Sequence, residues 1–289
     1  MNHHILSILQ EREPTFSKGQ RRIASYILQS YDKAAFMTAS KLGKAVGVSE
    51  STVVRFAVEL GFDGYPEMQK AMQETVVNHL TSVQRMEVAN DRIADRDPVS
   101  AVLHADIELL RRTEEMVSRS DFQSAVEAIL NAKRIYILGT RSSSTLAYFL
   151  SYYLNYMFPN VHLVSDTGSG TLFERIIGVN SEDVVIAYSF PRYSTSTAKG
   201  VQFCLSTGAT VIGITDNAQS PVGQSCTYCL LAKSDMQSLA DSLVAPLSLT
   251  NALLVALTAR KEKELAATFE ELERVWAAYD VYDRRDTAK

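Results

Sequence analysis

Between Thr38 and Phe56 the apolar residues fall into two short runs at helical spacing, Leu42, Ala45 and Val46 and then Val53 and Phe56, with Gly47 between them. The pattern predicts two short helices. Thr38 is placed to cap the first through its hydroxyl, Gly47 permits the left-handed turn that strains other residues, and Ser49 is placed to cap the second. Glu50, Ser51, Thr52 and Arg55 are then left on an outer, polar face near the start of the second helix. Two short helices joined by a tight turn have the shape that enters a DNA major groove, although a small helical core without a ligand can carry the same pattern. An earlier amphipathic segment, Gln20 to Gln29, has Ser17 as its cap and turns Ile23, Ala24, Ile27 and Leu28 inward. Lys18, Arg21 and Arg22 remain outside, where they can meet phosphates.

Gly61-Phe62-Asp63-Gly64-Tyr65-Pro66 is a stop signal, and Pro66 suits the first turn of a further helix running to about Leu80. Charged, mixed sequence from Ser82 to Asp97 reads as a connector, followed by amphipathic helices over Val99–Val117 and Phe122–Ala132. From Arg134 the period changes. Short apolar runs at Ile135–Leu138, Val161–Ser165, Val184–Tyr188, Thr210–Ile214 and Thr227–Leu231 alternate with helix-length segments, among them one from Leu146 to Met157. Such alternation predicts an α/β domain: a five-stranded parallel sheet covered on both faces, flavodoxin-like, with a ligand crevice at the carboxyl ends of its strands. A long helix, Leu239–Lys263, is apolar over more of its circumference than a surface helix needs, which predicts burial against the sheet and against another subunit. The last helix, Lys263 to about Tyr282, carries Trp276 as a core or interface anchor. The expected organisation is an all-α domain over residues 1–80, a helical linker over 81–120, the α/β domain over 121–262 and a carboxyl-terminal helix over 263–289.

Composition narrows the function classes. With 289 residues and 46% hydrophobic content the chain can bury large cores. No apolar run is long enough to cross a bilayer and no secretory pattern opens the sequence, so a cytoplasmic protein is expected. The formal charge of −4 excludes coating of nucleic acid through bulk charge. It is unevenly spread: residues 1–78 hold nine Lys+Arg against eight Asp+Glu, and the remainder twenty against twenty-five. DNA affinity would therefore come from a local patch and from dimerisation. Of three cysteines, Cys226 and Cys229 lie in a segment that reads as a buried strand. Residues three apart on a strand face opposite sides, so a structural role is expected for both and neither a disulfide nor a metal site.

Two loops carry the chemistry. After the first strand comes Gly139-Thr140-Arg141-Ser142-Ser143-Ser144-Thr145, where a helix start offers unpaired N–H groups and the hydroxyls add donors for phosphate oxygens. Arg141 and Ser144 stand where a dinucleotide fingerprint needs glycines, so no nucleotide cofactor is expected. After the third strand comes Ser189-Phe190-Pro191-Arg192-Tyr193-Ser194-Thr195-Ser196-Thr197. In a parallel sheet the first and third strands can be neighbours, which brings both loops and both arginines to one crevice.

The paired loops resemble those of the sugar isomerase (SIS) domain, and with the amino-terminal module the chain resembles RpiR-family bacterial transcription regulators. The resemblance runs through Val48-Ser49-Glu50-Ser51-Thr52-Val53-Val54-Arg55-Phe56, Leu60-Gly61-Phe62-Asp63-Gly64-Tyr65, Ile135-Tyr136-Ile137-Leu138-Gly139, Ser189-Phe190-Pro191-Arg192-Tyr193-Ser194 and Ile214-Thr215-Asp216 with Ser220-Pro221. It implies that Ser143, Ser189 and Ser194 bind a phosphosugar and that Ser51, Thr52 and Arg55 approach operator DNA. The candidate effector site is Gly139, Arg141, Ser142, Ser143, Ser189, Arg192, Ser194 and Thr197; the candidate DNA-facing set is Lys41, Ser49, Glu50, Ser51, Thr52 and Arg55. Arg141 and Pro191-Arg192 depart from the commoner SIS pattern, and their guanidiniums can grip a phosphate bidentately or mark a different anion. An SIS domain can also isomerise sugars, which needs a base near a carbon-bound proton. Neither loop supplies His, Glu or Asp, and the nearest candidates, Glu174, Asp166 and His104, read as caps or solvated helix residues. The expectation is a regulator without catalytic residues, metal or cofactor, whose partners are double-stranded DNA, a phosphorylated sugar or amino sugar, and copies of itself as a dimer or tetramer.

Overall fold

Ser17, Thr38 and Ser49 each adopt extended backbone and accept a hydrogen bond from the amide three residues on, so each starts a helix as its short polar side chain dictates. A cap of this kind contributes about 1 kcal/mol. At Ser17 the bond is reciprocated by the Gln20 side chain, a complete capping box. The computed structural model describes residues 5–76, 81, 83–86, 97–165, 169–238 and 240–282. The chain divides into two units, Met1–Arg96 with Met236–Ala240, and Asp97–Asp235 with Asp241–Lys289.

The described elements of residues 5–76 in the first unit are helical: α1 (Ile5–Arg12), a 3-10 turn (Glu13–Thr15), α2 (Lys18–Gln29), the four-residue α3 (Tyr31–Ala34), α4 (Ala39–Val46), α5 (Glu50–Glu59) and α6 (Tyr65–Val76). Leu9, Ile23, Ile27, Leu42, Val53, Phe56 and Met68 form its core, with Phe16 set edge-on against Phe56 at 5.2 Å between centroids. The α4–α5 turn is as the sequence predicts, Gly47 taking φ 71°. Ala45, expected inside, is exposed, and Gly43 is buried in its place. Here α4 runs so close to the following turn that an added Cβ at Gly43 would lie 2.9 Å from the Val48 carbonyl oxygen. The helix expected to reach Leu80 is seen as far as Val76, and most of the Ser82–Asp97 connector lies outside the described residues.

The second unit opens with α7 (Pro98–Met116) and α8 (Arg119–Asn131), then alternates: β1 (Ile135–Gly139), α9 (Ser143–Leu154), β2 (Val161–Ser165), α10 (Ser169–Ile176), β3 (Val184–Ser189), α11 (Thr195–Ser206), β4 (Thr210–Thr215) and β5 (Tyr228–Leu231). Two helices close the chain, α12 (Val244–Arg260) and α13 (Glu262–Ala278). The five strands are parallel in the order β2-β1-β3-β4-β5, which makes β1 and β3 neighbours. Side chains of β1 alternate between two cores: Ile135 and Ile137 pack with α8, α9 and α12, whereas Tyr136 and Leu138 pack with α10 and α11. Both faces being covered, the strands are almost continuously apolar. At the amino-terminal edge of the sheet Asp183, buried, receives both Nε and an Nη of Arg134 at 2.9 and 2.7 Å. Among the described residues no helix is long and apolar enough to cross a membrane.

Several helix starts differ from the sequence expectation, α2 opening at Lys18 rather than Gln20 and α8 at Arg119 rather than Phe122. α9 begins at Ser143 rather than Leu146, because Ser144 and Thr145 satisfy their hydroxyls on the carbonyls of Arg141 and Ser142 and so fit a first helical turn. α12 begins at Val244 rather than Leu239 and ends at Arg260. Ser242 instead closes a turn, its amide bonding the Asp235 carbonyl and its hydroxyl the Asp106 carboxylate at 2.6 Å. Pro246, which lacks an amide hydrogen, sits in the first turn of this helix, where no partner is needed. Trp276 is half-buried between Phe269 and Tyr282.

In an open helix interior Gly→Ala gains about 1 kcal/mol. For Gly43→Ala we expect the opposite sign, a loss of about 1–3 kcal/mol in urea titration, because the methyl group meets backbone that cannot yield without moving α5. A stabilised variant would show that α4 and α5 are not held this closely.

Candidate functional site

At the carboxyl end of β1, Gly139 faces the first turn of α9 so closely that a Cβ would stand 2.6 Å from the Ser143 carbonyl oxygen and 2.7 Å from the Ala147 Cβ. Only glycine lets the strand run directly under the helix start. Arg141 then turns the chain with φ 56°, and Ser142 precedes the helix without a side-chain cap bond. The first amides of α9, those of Ser143, Ser144 and Thr145, bond back to the carbonyls of Thr140, Arg141 and Ser142 at 3.2, 3.0 and 3.3 Å, so what the helix start offers an anion is the positive end of its dipole. Ser143 is buried in that first turn, whereas Arg141 and Ser142 are exposed.

Next door, β3 ends at Ser189, one residue beyond Tyr188, the register partner of Gly139. The second loop leads to Ser194, which caps α11 by accepting from the Thr197 amide and shares a 2.7 Å hydrogen bond with Ser196. Thr140 Oγ1 and Thr197 Oγ1 lie 3.1 Å apart and tie the two loops together. All eight candidate effector residues therefore occupy the same two adjoining strand-to-helix turns. Within them Gly139, Ser143, Ser189 and Thr197 are buried, Ser194 is half-buried and Arg141, Ser142 and Arg192 are exposed. Ser189 is 3% exposed, and among the described residues its hydroxyl has no hydrogen-bond partner. A buried hydroxyl left alone costs about 1–3 kcal/mol, which a ligand oxygen would relieve.

Sequence reasoning missed a second tier beneath these loops. Tyr193 donates its hydroxyl to Asp216 Oδ1 at 2.9 Å, pinning the second loop to the end of β4. Thr215 donates to Ser220 at 2.9 Å, and the Lys233 ammonium donates to the Asp216 carbonyl at 3.4 Å. Burial raises Asp216 above the ordinary carboxylate range, against the lowering effects of the Tyr193 bond and of Lys233. Burial first, then the Asp216 charge, pushes the Tyr193 phenol up as well, so it stays a donor. The legible signal was a Thr-Asp pair closing the strand beside the crevice. Among the expected alternatives for a catalytic base, His104 and Glu174 are exposed on α7 and α10, and Asp166 lies outside the described residues. No group of three or more metal-ligating side chains occurs among the described residues.

In the first unit Lys41, Ser49, Glu50, Ser51 and Arg55 are exposed and Thr52 half-buried, while Val53 and Phe56 of the same helix are fully buried. Ser49 Oγ lies 2.9 Å from Ser51 Oγ and 2.8 Å from Thr52 Oγ1, and Arg55 Nε bonds the Ser51 carbonyl at 3.2 Å. The result is a compact polar tip on α5. Lys18, Arg21 and Arg22 line a shallow cleft between α2 and α4 that ends at Ala45 and Val46.

Because Asp216 titrates high in the fold, the protonated form is favoured there. Its contribution to stability is fully present below the unfolded carboxyl value and is lost as pH rises through the folded value. Asp216→Asn keeps the acceptor for Tyr193 without the charge. We expect its melting temperature to gain on the parent as pH rises from about 4 to about 7, read by parallel thermal melts. Melting curves that stay parallel across that range would refute it.

Comparison with known proteins agrees with both units. The profile described as a helix-turn-helix domain of the rpiR family matches residues 3–79, and that of the SIS domain matches residues 128–256. A helix-turn-helix-type transcriptional regulator of Clostridium perfringens is 25% identical over 227 residues, covering 77% of this chain and 80% of the relative. HexR of Pseudomonas aeruginosa, also a helix-turn-helix-type transcriptional regulator, is 22% identical over 264 residues, 89% of this chain and 90% of HexR. Among solved structures, the sugar isomerase domain of the RpiR transcription factor from Sphaerobacter thermophilus is 26% identical with a TM-score of 0.58, covering 61% of this chain and 98% of that one. Vibrio vulnificus NanR, solved with ManNAc-6P, is 21% identical with a TM-score of 0.57 over 96% of this chain and 99% of its own, a likeness of fold. A capped two-helix module with a polar tip, followed by a parallel sheet whose hydroxyl-rich turns meet at one end, is the two-part build of these regulators, and the chain belongs to the RpiR family of helix-turn-helix transcription regulators with an SIS domain.

Proposed function

We propose that this regulator binds operator DNA through the α5 tip and that a phosphorylated sugar or amino sugar in the SIS domain controls its affinity. The observation that carries the reading is the Ser189 hydroxyl, buried and, among the described residues, without a partner, on the strand that pairs with β1. With Ser143, Ser194 and Thr197 it supplies hydroxyl donors for phosphate oxygens, while Ser142 adds a further hydroxyl and α9 the positive end of its dipole. Arg141 and Arg192 bring charge to the rim, and Gly139 lets the ligand and helix approach the strand. The likeness in fold to NanR, solved with ManNAc-6P, supports a phosphorylated amino sugar as the first compound to try. On the DNA side Arg55, Ser51, Thr52 and Glu50 reach toward base edges, with Ser49 and Lys41 flanking them and Lys18, Arg21 and Arg22 meeting phosphates.

Pairing completes the proposal. The first unit carries little net charge, so two copies reading successive major grooves about 34 Å apart would supply the affinity one lacks. Exposed apolar residues favour such pairing: Val99, Leu103 and Ile107 form a stripe along α7, and Tyr148, Tyr152 and Tyr153 stand out on α9. Sedimentation at micromolar concentration is expected to give a dimer or tetramer, and a monomer under those conditions would remove this part. The Tyr193–Asp216 bond gives the buried carboxylate near the crevice a loop-holding partner, which supports binding over isomerisation as the chemistry.

The two sites predict opposite losses. Arg55→Ala should weaken operator binding about tenfold in gel shift, the equivalent of one lost charged contact, while leaving intact the thermal stabilisation by N-acetylmannosamine 6-phosphate or related phosphosugars. Ser143→Ala with Ser189→Ala should abolish that stabilisation and leave DNA binding at low salt. Loss of both properties in both variants would defeat the picture of separate sites, and turnover of a phosphosugar, followed by NMR, would make the chain an enzyme.

A further inference from the structure

We propose that Cys226 and Cys229 form a peroxide-oxidisable dithiol at the β5 edge of the sheet, a modification site independent of the effector reading. The expectation that residues three apart would face opposite sides fails here because Cys226 precedes the strand: β5 starts at Tyr228, and Cys226 sits in the turn before it with its amide on the Val222 carbonyl. Gly213 on β4 is the parallel register partner of Cys229, so the Cys229 side chain leaves the sheet on the side where a Gly213 side chain would. That space is filled by sulfur: a Cβ on Gly213 would lie 2.8 Å from Cys226 Sγ. The missing side chain at Gly213 thus draws the two thiols together over one strand position.

The surroundings give the pair a direction. The Cys226 thiol donates to the Gly223 carbonyl at 3.6 Å, and Cys229 is its neighbour across the Gly213 position. The interaction with Cys229 holds Cys226 below the ordinary thiol range against burial and the nearby Asp121 charge, and the same interaction holds Cys229 above it. Asp121 accepts from the Cys229 amide at 3.4 Å, fixing the strand edge. Both cysteines are partly exposed, whereas Cys204 is 0% exposed and burial pushes its thiol up to about 12.

The chemistry follows from that polarity. The Cys226 thiolate attacks one oxygen of a hydroperoxide; the O–O bond breaks, sulfur becomes sulfenic acid, and the departing hydroxide or alkoxide takes up a proton. Cys229, losing its proton, then attacks the Cys226 sulfur and expels its oxygen as water. The disulfide forms as the peroxide is reduced, two electrons passing from the thiol pair.

Treating the full-length protein with hydrogen peroxide, then alkylating and mapping peptides by mass spectrometry, tests this. The expected result is one intrachain Cys226–Cys229 disulfide, two hydrogens lighter and reversed by dithiothreitol, with Cys204 still alkylated. Cys229→Ser should stop at a Cys226 sulfenic acid trapped by dimedone, and Cys226→Ser should leave Cys229 alkylatable at the same dose. Oxidation of Cys204 as readily as the pair, disulfides between chains, or three unchanged thiols in the treated protein would each overturn the proposal.

Discussion

The candidate site depends on one close approach, that of the β1 end to the start of α9. Gly139 leaves 2.6 Å between a would-be Cβ and the Ser143 carbonyl oxygen, so the helix axis begins almost on top of the strand. From that contact follow the burial of Ser143 and the start of α9 at the carboxyl end of β1. The β1–β3 pairing then fixes the rest, since it seats Ser189 one residue past the partner of Gly139 and lets Thr140 meet Thr197 across the gap. Chain direction does the positioning: in a parallel sheet every strand delivers its following loop to the same end, and neighbouring strands deliver theirs side by side.

How far this was readable from sequence varies with the kind of interaction. Caps and turns were legible because their cause is local: Thr38, Gly47 and Ser49 decide the α4–α5 geometry through groups within three residues of one another. Strands were legible because burial on both faces leaves an unbroken apolar run. Helix starts in polar or mixed sequence were not, since Ser144 and Thr145 can either cap or enter a helix, and an apolar stripe from Leu239 continues past the point where Ser242 turns the chain toward Asp235. Pro246 carried the missing information, as a residue tolerated only within a first turn.

Contacts between distant segments were the least legible. Tyr193 and Asp216 are separated by α11 and β4, and nothing in either neighbourhood declares a bond between them. Gly43 and Gly213 show the same limit from the other side: each is explained by what lies against it, the Val48 carbonyl in one case and the Cys226 sulfur in the other. A glycine's role as empty space is a tertiary property, invisible until the neighbour is placed.

Separate cores also constrain regulation. Leu42, Val53 and Phe56 belong to one core and Ile137, Ile186 and Ile212 to another. Ligand and DNA can influence one another only if each binds two arrangements of the protein with different affinity, and the coupling is then equal in both directions. A tenfold change in operator affinity on effector binding corresponds to about 1.4 kcal/mol and requires the same tenfold change in effector affinity on DNA. On the proposed reading, the Tyr193–Asp216 bond would contribute energy of that order by holding a loop that carries Arg192 and Ser194, and the Ser189 hydroxyl by exchanging an unpartnered state for a bonded one.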